Sequence, residues 1–299
     1  MNENSTAAPP AVPAGDDDGY TPSPIRLDRE RYRRNRKRRD ALIAIGCAVG
    51  FLVVVCVGVV SSPGWGRVHQ YFLSGTEFRR YFGQILDGFW LNVQMFAVCE
   101  VCILVLGLGI ALLRVTRAPG LAPLRWTAML YVDVFRGVPT LLLVFLVGFG
   151  LPALQLQGVP SSPVVLGCTA LILSYAAYVG EVFRAGLNSV HPAQRNAAKS
   201  LGLSQPQTLR HVVLPQAVRN VVPPLLNDFI SLQKDTALVA VLGPLEALRV
   251  AQINADYDFN YTPYLAAALL FIAVTIPLTR YADWLQAKAV RRQWAEAGR

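Results

Sequence analysis

"ALIAIGCAVGFLVVVCVGVV", residues 41–60, contains no charged residue. About 20 apolar residues are enough for a helix to cross a hydrocarbon core roughly 30 Å thick. The segment before it, "RLDRERYRRNRKRRD" at 26–40, is dense in arginine. Positive charge ahead of an apolar run also marks a signal peptide. This run is too long for a typical signal core, and "VVSSPGWG" at 59–66 offers no small-residue cleavage site. It therefore reads as an uncleaved membrane helix. Residues 1–25 are rich in Pro, Ala, Ser and Asp and read as disordered. Together, 1–40 form a disordered, basic tail.

Further apolar runs follow: "GFWLNVQMFAVCEVCILVLGLGIALL" at 88–113, "TAMLYVDVFRGVPTLLLVFLVGFGL" at 127–151 and "PVVLGCTALILSYAAYVGEVF" at 163–183. "VVPPLLNDFISLQKDTALVAVLG" at 221–243 and "TPYLAAALLFIAVTIPLTRYADWL" at 262–285 complete the series. The whole chain is 53% hydrophobic and 16% charged, with mean hydropathy +0.37; soluble domains carry about 25% charged residues. In lipid each segment must satisfy its own backbone hydrogen bonds, which favours helices. The alternating short segments of a β-barrel are missing. The fold class is therefore all-α, an integral membrane protein of about six transmembrane helices.

Basic residues orient it. With the first basic block in the cytoplasm, the inside loops hold Arg114, Arg117 and Arg125, then Arg184, Arg195, Lys199, Arg210 and Arg219, then Arg280, Lys288, Arg291 and Arg292. The outside loops hold only Arg67, Arg79, Arg80 and Arg249. That asymmetry puts both termini in the cytoplasm. It also absorbs the net charge of +9, so no nucleic-acid partner is needed.

The longest inside loop is 184–220, and "NAAKSLGLSQPQTLRHVVLPQ" at 196–216 is its centre. Pro192 suits the first turn of a helix. "AQRNAAKSL" has high helix propensity, and Gly202 ends it. Ser204 can cap a second helix, with Pro206 in its first turn. Ala197 and Ala198 put almost no side chain on one surface of the first helix, so a partner's backbone can approach it closely.

This loop resembles the EAA loop of bacterial ABC importer permeases, whose pattern is Glu-Ala-Ala, three residues, Gly, nine residues, Ile, one residue, Leu-Pro. The chain has Asn196-Ala197-Ala198, then Gly202, Val212 and Leu214-Pro215 at that spacing. Asn196 replaces the usual glutamate. "YVDVFRGVPTLLLVF" at 131–145, "EVFRAGLNSVHPAQ" at 181–194 and "LNDFISLQKDTALVAVLG" at 226–243 are similar to the polar amino acid subfamily. That subfamily usually has Glu, Thr and Gln near positions occupied here by Asp133, Val138 and Val144. The resemblance implies a five-helix permease core at 84–290, with 41–60 an extra N-terminal helix. It implies a bacterial cell-membrane importer subunit that moves a polar amino acid by alternating access. Its expected partners are cytoplasmic ATPase subunits, a second permease subunit of the same or a related kind, an external solute-binding protein and membrane lipid. Asn196, Ala197, Ala198, Gly202, Leu214 and Pro215 would form the ATPase-coupling loop.

No G-x-x-x-x-G-K-[ST] motif occurs. ATP-Mg is therefore expected on the partner ATPases, and the chain needs no cofactor of its own. His69, His191 and His211 lie on different loops, and neither a nucleophile–base set nor metal-ligand spacing is present. The chain reads as a transport subunit and not as an enzyme. All five cysteines lie in apolar runs and read as small buried hydrophobes.

The candidate translocation-pathway residues are Glu100, Asn227, Ser231, Lys234 and Thr236. A mid-bilayer charge costs about 2.5–3.5 kcal/mol and belongs on an interior face. Glu100 reads either as a pathway carboxylate or as the buried partner of another helix. Asp133 and Arg136, three apart, are expected to form a local ion pair, with Gly137 and Pro139 permitting a bend. Lys234 and Asp235 are adjacent, so each needs its own partner. Pro223-Pro224 reads as a helix start or kink, and Trp90 and Trp284 as interfacial anchors. A stand-alone carrier or channel for small polar solutes is the alternative function, although no internal repeat supports it.

Overall fold

The computed structural model describes residues 24–116, 118–158 and 160–297. No strand occurs among them. The helices are α1 (Pro24–Val60), α2 (Trp65–Phe72), α3 (Gly75–Val115), α4 (Ala122–Gly137), α5 (Thr140–Phe145), α6 (Leu151–Ala153) and α7 (Pro163–Asn188). They continue with α8 (Pro192–Ser200), α9 (Gln205–Thr208), α10 (Leu214–Asp235), α11 (Ala247–Asp258) and α12 (Thr262–Ala297). Four stretches are long and apolar enough to cross a membrane, and two bent helix pairs raise the number to six if each is one span.

The chain divides into two units, 1–66 and 67–299. In the first, α1 starts at Pro24, so the arginine block is helical where a disordered tail was expected through residue 40. Residues 1–23 lie outside the described residues. Cys47 and Cys56 on α1 are exposed, not buried, because none of the 38–60 span is covered by protein. Lipid is what such a helix requires around it.

In the second unit α7 is the central helix, packed against α3, α4 and α10. The core between α3 and α7 contains Met95, Cys99, Ile103, Leu171, Tyr175 and Leu232. Val144 is fully buried there, so it cannot contact solute from that position.

The expected span 127–151 is broken. Its two halves, α4 and α5, meet at 106°. Val138 is extended (φ −94°, ψ 129°), the conformation that a following proline imposes by clashing with a helical neighbour. Pro223 and Pro224 lie inside α10 rather than at its start. After α10 the chain tightens into a 3-10 segment, Thr236–Leu242, and turns at Gly243 (φ +101°). The stretch expected to be an outside loop then forms α11, which buries Ala247, Ala251 and Ala255.

A buried polar joint fixes that turn. Asn92 of α3 donates to Thr236 Oγ1 (3.2 Å) and Glu246 Oε2 (2.9 Å), and its Oδ1 accepts from Ala247 N (3.1 Å). Glu246 is fully buried and caps α11, accepting from Leu248 N (3.0 Å) and Arg249 N (2.7 Å). The joint forms because Gly88 lets α11 reach α3. A Cβ there would lie 2.9 Å from both Ala247 N and Glu246 C, which are backbone atoms. Gly88→Val is expected to destabilise the chain by about 1–3 kcal/mol, the usual cost of overpacking. Thermal unfolding in detergent measures this, and an unchanged midpoint would overturn the account.

Candidate functional site

The loop between α7 and α10 is a capped helical hairpin. His191 Nδ1 accepts from Ala193 N (3.2 Å) at the start of α8. At its end Gly202 takes φ +81°, a conformation open to glycine at little cost. Gly202 N donates to Lys199 O (2.9 Å) and Leu203 N to Ala198 O (3.1 Å), the paired bonds of a Schellman stop. Ser204 and Gln207 then form a reciprocal capping box. Ser204 N donates to Gln207 Oε1 (2.9 Å), and Gln207 N donates to Ser204 Oγ (3.4 Å). The stop and the second start fall where the sequence puts them.

From α9 the helix runs into α10 through a wider π turn, Leu209–Val213. Pro215 supplies a reason. Its ring crowds the carbonyl four residues back, and it has no N–H to donate, so a locally widened helix relieves the clash. Leu214 and Pro215 are exposed at this junction.

The two alanines separate. Ala197 and Asn196 are exposed, but Ala198 is only 3% exposed. The expected two-alanine docking surface is corrected: Ala198 faces inward, and Val190, Thr208 and Val213 are the other buried residues between α7 and α10. A helix of nine residues shows one face to its own hairpin, and adjacent positions point about 100° apart, so only one alanine can face out.

Two contacts bind the hairpin to the membrane helices. Arg195 donates to Leu187 O at the end of α7. Asn220 of α10 donates to Ser189 Oγ (2.7 Å). Just inside them, Glu181 of α7 receives Arg114 of α3 (2.6 Å) and also pairs with Arg184. The hairpin is therefore bonded directly to α7 and α10, and α7 in turn to α3.

The intramembrane candidates do not form one cluster. Glu100 on α3 is partly buried and close enough to Asp228 of α10 for their charges to interact. The charged neighbour it senses is thus a second carboxylate on another helix. Asp228 lines an open cavity of about 340 Å³ with Arg136, Tyr178, Glu181, Ser189 and Asn220. Its Oδ2 is buried with no hydrogen-bond partner among the described residues. The neighbouring candidate Asn227 is exposed, Ser231 is partly buried and Lys234 is exposed. Thr236 is fully buried in the α11 joint, its hydroxyl already occupied, so it is structural. Asp235 finds its partner in Tyr175 Oη of α7 (2.8 Å).

Asp133 and Arg136 form no ion pair. Both are exposed, and the Arg136 guanidinium lies over the Tyr178 ring, 5.4 Å from its centroid. Tyr178 Oη in turn donates to Arg136 O (3.2 Å). The helix ends at Gly137, which directs the arginine across to α7. Sequence reasoning missed Asp228, Asn92 and Glu246. Asp228 carried a usable signal: it stands four residues after Pro224, on the same helix face and one residue past the chosen Asn227. No group of His, Cys, Asp and Glu suited to a metal occurs among the described residues.

Comparison with known proteins follows the same lines. The family described as binding-protein-dependent transport system inner membrane component matches residues 103–291. A probable glutamine ABC transporter permease protein of Bacillus subtilis (strain 168) is 32% identical over 208 residues, covering 69% of this chain and 93% of that one. An arginine transport system permease protein of the same organism is 34% identical over 196 residues, covering 65% and 87%. The crystal structure of an amino acid ABC transporter with histidines aligns with TM-score 0.65 at 28% identity, covering 72% of this chain and 98% of that one. An inward-facing methionine ABC transporter aligns with TM-score 0.55 at 22% identity, a likeness of fold.

Proposed function

The chain belongs to the family of binding-protein-dependent transport system inner membrane components, and on that premise we propose that the solute it moves is a polar amino acid. It is a membrane-spanning permease subunit of an ABC importer. In the proposed cycle two partner ATPases hold ATP-Mg and close on nucleotide. Their closure pushes the 184–220 hairpin, and α7 and α10 carry the motion to the pathway. A second permease subunit completes the pore, and an external solute-binding protein delivers the solute. Both termini lie in the cytoplasm.

The observation that carries the coupling role is the rigid hairpin itself. Both of its helices are capped by local bonds, and it is bonded to α7 and α10. A short rigid element can transmit a push that a floppy loop would absorb. Asn196, Ala197, Gly202, Leu214 and Pro215 belong to this element as coupling residues, with Ala198 holding it together from within. The substrate class rests on the named relatives, together with the carboxylates Glu100 and Asp228, which suit an ammonium group.

The test is uptake by the complete complex in liposomes against a panel of polar amino acids. Saturable, ATP-dependent uptake of at least one of them is expected. Uptake of none, with another solute class carried at the same ATP dependence, would overturn the substrate assignment.

A further inference from the structure

We propose that the cavity between α4, α7 and α10 binds a whole amino-acid zwitterion, with Arg136 taking the α-carboxylate and Asp228 the α-ammonium. This rests on the polar amino acid substrate put forward above, and it adds the residue that recognises that solute's negative end.

Three charged side chains line the cavity: Arg136 of α4, Glu181 of α7 and Asp228 of α10. Glu181 is already neutralised, since Arg114 (2.6 Å) and Arg184 both pair with it. Arg136 and Asp228 have no ion-pair partner among the described residues, and they do not pair with each other. One cation and one carboxylate therefore remain for a ligand. A ligand with only a positive charge would leave Arg136 unanswered, and one with only a negative charge would meet Asp228 with like sign. A zwitterion answers both.

Arg136 is held in a way that leaves its donors available. Its guanidinium lies over the Tyr178 ring, 5.4 Å from the centroid, and the same tyrosine's hydroxyl donates to Arg136 O (3.2 Å). The ring attracts the cation through its face. No described oxygen accepts from the guanidinium N–H groups, and their planar fork matches the two oxygens of a carboxylate. At the other pole, Asp228 Oδ2 is buried without a described hydrogen-bond partner. An ammonium carries three donors that could satisfy it.

The space is adequate. The cavity encloses about 340 Å³, within the range of about 300–1,000 Å³ for small-molecule sites. Asn220 and Asp228 both line it and stand eight residues apart on α10, so it extends about 12 Å along that helix. The Asn220–Ser189 bond (2.7 Å), which ties α10 to the end of α7, borders its hairpin end. A bound amino acid thus lies beside the coupling hairpin's own attachment.

The experiment uses the full chain copurified with its ATPase partners in detergent. The external binding protein is left out, because it would impose its own choice of solute. Binding of radiolabelled L-glutamine, L-arginine and their decarboxylated amines is measured by scintillation proximity. Wild type is expected to bind at least one amino acid about tenfold or more tightly than the matching amine. Arg136→Gln should weaken the amino acid about tenfold or more and leave the amine unchanged, so that the preference disappears. Arg136→Lys keeps a charge and should keep part of the preference. Asp228→Asn should weaken amino acid and amine alike. An Arg136→Gln complex that still prefers the amino acid, or that loses both ligands equally, would overturn the carboxylate role. Binding of neither amino acid by wild type would overturn the site itself. The uptake panel then separates the two failures: if polar amino acids are still carried, only this site is lost, and if none is carried the substrate assignment falls with it.

Discussion

An Ala197→Trp chain is expected to insert and to unfold at the wild-type temperature, yet to lose solute-stimulated ATP hydrolysis by about tenfold or more, the effect of displacing one well-packed contact at an interface. Ala197 is exposed on α8, so a large ring there costs the isolated chain little and blocks only a partner. Ala198→Trp makes the contrasting case. That position is buried in the hairpin, and Ala198 O receives the bond that stops α8. The ring would push α8 off the hairpin's small core, so lost coupling should come with lower thermal stability. Asn196→Ala should be mild, because Asn196 is exposed and its side chain has no bond that the hairpin needs. Stimulated hydrolysis and thermal unfolding of the three complexes decide it. Full coupling in Ala197→Trp would remove α8 from the ATPase interface.

The pair of alanines also marks how far the sequence can be read. Capping is local: Gly202, Ser204 and Pro206 fix the stop and the restart within a few residues of themselves, and both were legible. Which alanine faces out depends on how α8 leans on the hairpin's second arm, a tertiary fact. The apolar runs were legible because hydrocarbon imposes one requirement along about 20 residues at a time. The break at Val138 carried its signal in Gly137 and Pro139, although its size did not. Helix α11 was missed because it is short and its buried face is alanine, too weakly apolar to stand out in a hydropathy reading. Its signature was nonetheless present: Glu246 before the start, then Ala247, Ala251 and Ala255 at intervals of four. The Asn92–Thr236–Glu246 joint joins positions more than 140 residues apart, beyond any spacing rule. The same reason hid Asp228 opposite Glu100. Each carboxylate is visible by itself, but their meeting depends on how α3 and α10 pack.

That meeting leads to the sharpest functional expectation. Glu100 is close enough to Asp228 for their like charges to interact, and Asp228 Oδ2 is buried without a described hydrogen-bond partner. Asp228 lines the 340 Å³ cavity, Glu100 repels it from α3, and a cation bound beside Asp228 relieves that repulsion. The ammonium group of an amino acid is such a cation. Losing one charge-assisted hydrogen bond costs about 1.5–3 kcal/mol, or roughly ten- to a hundredfold in binding. Glu100→Gln and Asp228→Asn should each raise the Michaelis constant for uptake by about tenfold or more. Neither should lower thermal stability, and removing one of two repelling charges should raise it slightly. A structural carboxylate predicts the opposite signs: a lower unfolding temperature and an unchanged Michaelis constant for the protein that survives. Uptake kinetics and thermal unfolding, measured on the same preparations of folded complex, separate the two. An unchanged Michaelis constant in both variants would exclude the pair from the solute pathway.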